Sequence, residues 1–98
     1  MTIKQKKENK TLTVFISGRV DTKTAPELLE FLQGAMPGVE ELILDLAEVE
    51  YVSSAGLRVI LYAQKTMTSQ GSMKVANVNS DIMETFELTG FSDILTII

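Results

Sequence analysis

The sequence predicts an α/β domain: a mixed β-sheet flanked by helices, with elements in the order ββαβαβαβ along the chain. Three observations predict it. Thr11 to Gly18 alternates apolar and polar residues with period 2, as a half-buried strand does. Thr24 to Ala35 and Ala55 to Gln70 carry apolar stripes at helical spacing. Between them lies Leu42-Ile43-Leu44-Asp45-Leu46, short and rich in branched side chains, as a buried central strand is. Strands alternating with helices imply parallel pairs joined by right-handed crossovers. At 98 residues the chain has room for one domain, spanning residues 1–98, and 45% hydrophobic with 22% charged residues is a globular composition.

The elements follow in order. Ile3 to Lys7 is a weak strand and Glu8-Asn9-Lys10 a turn, so the first two strands form a hairpin. In the second strand Leu12, Val14 and Ile16 share one face, with Thr13, Phe15 and Ser17 on the other. In the first helix, Thr24 to Ala35, the residues Ala25, Leu28, Leu29, Leu32, Ala35 and Met36 make one apolar stripe. Thr24-Ala25-Pro26-Glu27 matches a capping box, and Gly34 with Pro37-Gly38 marks the helix end. After the central strand, Ala47 to Ser53 reads as a loop. The helix Ala55 to Gln70 buries Leu57, Ile60, Leu61, Ala63 and Met67 and stops at Gly71. Met73 to Val78 is a strand. Ser80 to Thr89 is a helix capped by Asn79 or Ser80 and closed by Gly90, with Phe91 as the apolar contact of that glycine cap. Ile94 to Ile98 is expected to form a last strand.

Three absent residue types narrow the chemistry. With no Cys, no His and no Trp, the chain has no disulfide, no thiolate nucleophile and no Cys/His zinc site. A Ser-His-Asp triad and an imidazole proton shuttle are excluded as well. An enzyme built from this chain would rely on carboxylates, Lys or Tyr, so a non-enzymatic role is expected. Residues 1–10 carry four Lys and one Glu, a balance of +3, which leaves −7 on residues 11–98 of a chain whose net charge is −4. Lys4, Lys6, Lys7 and Lys10 read as a solvated edge strand, where lysine discourages association between sheets. An acidic body repels a phosphate backbone, so no direct nucleic-acid contact is expected. The longest apolar run, Val59 to Ala63, is far short of a membrane span, and no secretory leader pattern follows the first lysines. A cytoplasmic protein without a cofactor is expected.

Candidate chemistry lies in three places. Tyr51-Val52-Ser53-Ser54-Ala55-Gly56-Leu57-Arg58 joins the central strand to the long helix. Serine there is a preferred N-cap, because its hydroxyl accepts an orphan backbone N–H. A helix start also accommodates phosphate, which makes serine there a possible phosphoacceptor too. Gly18-Arg19-Val20-Asp21-Thr22-Lys23-Thr24 joins the second strand to the first helix and consists of ordinary turn and cap residues. Glu40, Glu41, Asp45, Glu48 and Glu50 form an acidic stretch, but Glu40 and Glu41 read as a solvated loop and Asp45 lies within a strand. No metal site is expected from them. Neither a P-loop nor a GxGxxG motif is present.

Leu42 to Leu46, followed by Val49-Glu50-Tyr51-Val52-Ser53-Ser54-Ala55-Gly56-Leu57-Arg58-Val59-Ile60-Leu61, resembles the core signature of STAS domains, the bacterial anti-sigma-factor antagonists and their relatives. Gly18-Arg19-Val20-Asp21 resembles the first loop of the family, and Leu88-Thr89-Gly90-Phe91 its ending. The resemblance covers nearly the whole chain in order and implies a single STAS domain. It further implies an antagonist that binds an anti-sigma factor, a serine kinase of the GHKL type, and thereby frees a sigma factor. The kinase would inactivate the antagonist by phosphorylating its loop serine, and a PP2C-type phosphatase would reverse this. Aligning the Gly-Leu pair on Gly56-Leu57 implies Ser54 as phosphoacceptor. Many antagonists carry Asp immediately before the acceptor; here Ser53 stands in that place, which removes a charge and makes Ser53 the alternate acceptor. The implied partner surface comprises Asp21, Thr22, Thr24, Ser53, Ala55, Gly56 and Leu57. The alternative is a binding or scaffold module of the same fold with no phosphorylation switch.

Overall fold

The computed structural model describes all residues, Met1–Ile98. Strand β1 (Thr2–Glu8) turns at Asn9 into β2 (Thr11–Val20), and helix α1 (Ala25–Ala35) leads to β3 (Glu41–Val52). Helix α2 (Ser54–Gln70), β4 (Ser72–Ala76), α3 (Ser80–Thr89) and a 3-10 turn (Phe91–Asp93) complete the chain. The sheet order is β1-β2-β3-β4, antiparallel between β1 and β2 and parallel elsewhere. Asn9 adopts a left-handed conformation (φ 57°), which places the hairpin turn where the residue types put it. The lysine-bearing β1 is an edge strand, as its composition suggests.

Both β-α-β crossovers step in the same direction across the sheet, so right-handed connections put α1 and α2 on one face. The core agrees. Leu12, Val14 and Ile16 of β2, Leu42, Leu44 and Leu46 of β3, and Met73 and Val75 of β4 are all buried. They pack with Leu28 and Leu32 of α1, Ile60, Ala63 and Met67 of α2, and Phe86 of α3 in one cluster. The other sheet face carries no helix.

Two expectations are corrected. The segment read as a loop, Ala47 to Ser53, is strand as far as Val52. Its period-2 pattern fails because β3 bulges twice. Phe15 pairs with Asp45 but Ser17 with Glu48, and Gly18 pairs with Val49 but Arg19 with Tyr51. Each extra residue shifts the inward positions, so burial passes from Leu46 to Val49 and then Val52. The last strand, Ile94 to Ile98, does not form. The 3-10 turn carries the chain through Ile94, and only a single parallel bridge, Val75 with Ile97, joins it to the short β4.

The helix ends also differ in part. Thr24 makes no capping hydrogen bond to α1, so the capping box is absent. Its hydroxyl is used elsewhere, in the turn described below. Asn79 caps α3 by accepting from the Ile82 N–H at 2.9 Å. Gly90 closes α3 in the left-handed region (φ 81°), and Phe91 stacks on Phe86 with ring centroids 6.5 Å apart.

Candidate functional site at the carboxyl edge of the sheet

Parallel strands β2 and β3 end side by side, Val20 opposite Val52. Their strand-to-helix turns therefore emerge together, at the edge where α/β sheets carry their sites. The Ser53 N–H donates to the Val20 carbonyl at 2.9 Å and ties one turn to the other.

The two serines divide their roles. Ser53 is the N-cap of α2, in an extended conformation, and its Oγ accepts from the Gly56 N–H at 3.3 Å. It is half-buried. Ser54 is the first helical residue, is exposed, and its hydroxyl makes no hydrogen bond within the protein. The capping role that the residue type allows for either serine thus belongs to Ser53. The amides of Ser54 and Ala55 lie in the first turn, without intrahelical acceptors, and point with the positive end of the helix dipole toward this edge.

The turn before α1 is closed on itself. Asp21 Oδ1 accepts from the backbone N–H groups of Lys23 (3.0 Å) and Thr24 (3.1 Å). The Thr24 hydroxyl accepts from the Asp21 N–H at 2.9 Å and donates to the Arg19 carbonyl at 2.8 Å. The Thr24 N–H holds the Asp21 carboxyl below its ordinary value, helped by the Lys23 N–H, the Thr24 hydroxyl and the Arg19 charge, while partial desolvation opposes the shift. Thr22 is exposed at the tip.

Of the residues expected to meet a partner, Asp21, Thr22, Thr24, Ser53, Ser54 and Ala55 reach the surface to differing degrees. Gly56 and Leu57 do not belong with them. Leu57 is 7% exposed and joins the core. Gly56 is buried, and a Cβ there would lie 2.8 Å from the Val20 carbonyl oxygen and 2.9 Å from methyl carbons of Val20 and Val52. Glycine lets the first turn of α2 rest on the strand ends. Sequence reasoning left out a contact that the second bulge creates. By pairing Arg19 with Tyr51, it sets the Arg19 guanidinium 4.3 Å from the Tyr51 ring centroid, while Arg19 Nε lies 3.7 Å from Asp21. No sequence signal announces that register. The acidic stretch does not converge: Glu40 pairs with Lys10, Glu41 with Lys74, and Asp45 accepts from Asn77 and from the Ala47 N–H.

The STAS domain model matches residues 2–98. The chain belongs to the STAS domain family. An anti-sigma-B factor antagonist of Listeria monocytogenes is 34% identical over 90 residues, covering 88% of this chain and 77% of that protein. A solved anti-sigma factor antagonist from Mycobacterium paratuberculosis shares the fold at a TM-score of 0.89 and 22% identity, covering 98% of this chain and 83% of that one. The antagonist SpoIIAA shares the fold in its unphosphorylated form (TM-score 0.78, 12% identity, 99% and 87% coverage). Its phosphorylated form, from Bacillus, does so equally (TM-score 0.77, 13% identity, 99% and 91% coverage). No helix of this STAS domain is long and apolar enough to cross a membrane.

Proposed function

We propose that this STAS domain is an anti-sigma-factor antagonist whose binding is switched by phosphorylation of Ser54. The observation that carries the reading is the division between the serines: Ser53 holds the helix, and Ser54 presents a free, exposed hydroxyl beside the Asp21 turn. The partner is an anti-sigma factor that acts as a serine kinase of the GHKL type, and a PP2C-type phosphatase resets the switch in the cytoplasm. The antagonist performs no catalysis itself.

Phosphate on Ser54 adds roughly −1.5 to −2 charge at the positive end of α2, where the fold tolerates it. SpoIIAA, which keeps one fold in both forms, supports that expectation. In a complex the same group is desolvated beside Asp21, and an unpaired buried phosphate is costly. A loss of roughly 4 kcal/mol weakens binding about a thousandfold.

The test is incubation with a GHKL-type kinase and ATP, followed by intact-mass spectrometry and titration with the kinase as partner. The expected result is one phosphate, absent from Ser54→Ala, a melting temperature lowered by less than about 10 °C, and lost affinity. Phosphorylation of Ser54→Ala at full stoichiometry transfers the role to Ser53. Equal affinity of the two forms leaves the unswitched binding module as the correct account.

A further inference from the structure

From its start, the exposed residues of α2 fall on one stripe: Ser54, Arg58, Tyr62 and Lys65, at helical spacing. The helix carries no acidic residue, although the chain as a whole is acidic. Arg58 stands one turn after Ser54 and takes part in no ion pair. The fold leaves it unpaired. Arg58 lies beside Leu29 and Gln33 of α1, which carry no charge. The carboxylates of α1, Glu27 and Glu30, lie toward β1, where they line a depression with Gln5 and Lys7. In the neighbouring turn Arg19 is engaged with Asp21 and Tyr51. Lys23 of that turn is the other exposed cation without an ion pair near this edge.

Residues four apart on a helix are neighbours, with Cβ atoms about 5–6 Å apart. That gap is within the combined reach of a phosphate and a guanidinium. Helical side chains lean toward the N-terminus, so the long side chain of Arg58 leans back over Ser54. The order also suits the pair, since an anion N-terminal to a cation at this spacing is the better arrangement. We propose that Arg58 is the counter-charge of phosphorylated Ser54. Its planar fork takes two phosphate oxygens at once and fixes the direction in which the dianion lies on α2. Arg58 is thus a positioning residue for the modified serine and has no partner in the unmodified chain. The inference rests on Ser54 being the phosphoacceptor. Lys65 lies 11 residues from Ser54, about 16 Å along the helix, which is beyond the screening length of about 10 Å in 0.1 M salt. It serves as a built-in control for a cation on the same stripe that is too distant to pair.

The test is a phosphorus NMR titration of the full chain with phosphoserine installed at position 54 during translation. Phosphoserine takes up its second proton near pH 6, and a bound guanidinium holds that midpoint down. Arg58→Gln is expected to raise the midpoint by about 0.3 pH unit relative to the phosphorylated wild type. Arg58→Lys keeps part of the lowering, because the charge remains while the fork is lost. Lys65→Gln leaves the midpoint where it was. In 1 M NaCl most of the difference between wild type and Arg58→Gln disappears, as it does for an exposed pair. Unphosphorylated Arg58→Gln melts within about 3 °C of wild type, since no intramolecular contact is lost. Equal midpoints for wild type and Arg58→Gln overturn the proposal. A rise produced by Lys23→Gln in place of Arg58→Gln overturns it and assigns the phosphate to the Asp21 turn. An equal rise from Lys65→Gln overturns it as well, because the cause is then the general field of the helix. Installing the phosphate without a kinase keeps the two readings apart: a kinase that leaves Ser54 unmodified defeats the switch, and only the titration defeats the pair.

Discussion

The turn before α1 and the turn before α2 leave the same edge of the sheet, yet their hydroxyls have different fates. The Thr24 hydroxyl is consumed on both sides, accepting from the Asp21 N–H and donating to the Arg19 carbonyl. In the second turn one hydroxyl, that of Ser53, does the structural work, and its neighbour Ser54 is left free. A side chain becomes available for chemistry when the residue beside it meets the needs of the backbone. Adjacent serines are therefore not redundant.

The largest effect at this edge is expected for Gly56→Val. Its side chain would meet the Val20 carbonyl oxygen and the Val20 and Val52 side chains, and it would push the first turn of α2 off the strand ends. We expect a loss of about 3 kcal/mol in urea unfolding, a large part of a typical stability of roughly 5–15 kcal/mol. An unchanged midpoint would mean that α2 does not rest on the strands.

Ser53→Ala comes next. It removes the cap on the Gly56 N–H and should cost about 1 kcal/mol by the same measurement. A loss no greater than that of Ser54→Ala would erase the division between the serines.

In the turn before α1, Asp21→Asn has a smaller effect, confined by pH. The folded pKa of Asp21 is lowered, so its contribution is present above the ordinary carboxylate value of 3.8 and is lost as pH falls toward the folded value. Melting temperatures of wild type and Asp21→Asn should therefore differ at pH 7 and converge below about pH 4. A gap that widens in acid would contradict the hydrogen-bonded carboxylate.

The smallest effect is expected for Ser54→Ala, within about 0.5 kcal/mol of wild type, because no intramolecular bond is lost. A loss of about 1 kcal/mol would show that Ser54 shares the capping.

Much was determined by the sequence alone. The alternation of Leu12, Val14 and Ile16 and the stripe through Leu28 and Leu32 specify a strand and a helix, because side-chain periodicity is local and follows directly from backbone geometry. The run from Tyr51 to Arg58 likewise placed the candidate site at a helix start. Tertiary structure decided the rest. Residues 47–52 lose their period where β3 bulges against β2, and a bulge is a property of two paired strands, invisible in either one. The same register brought Arg19 to Tyr51. Ile94 to Ile98 has strand composition but finds only Val75 as a bridge partner, since a strand exists only through its neighbour's hydrogen bonds. Serine at a helix start satisfies the local rule at either position. Only the path of the chain, which ties the Ser53 N–H to the Val20 carbonyl, decided that Ser53 caps and Ser54 faces solvent.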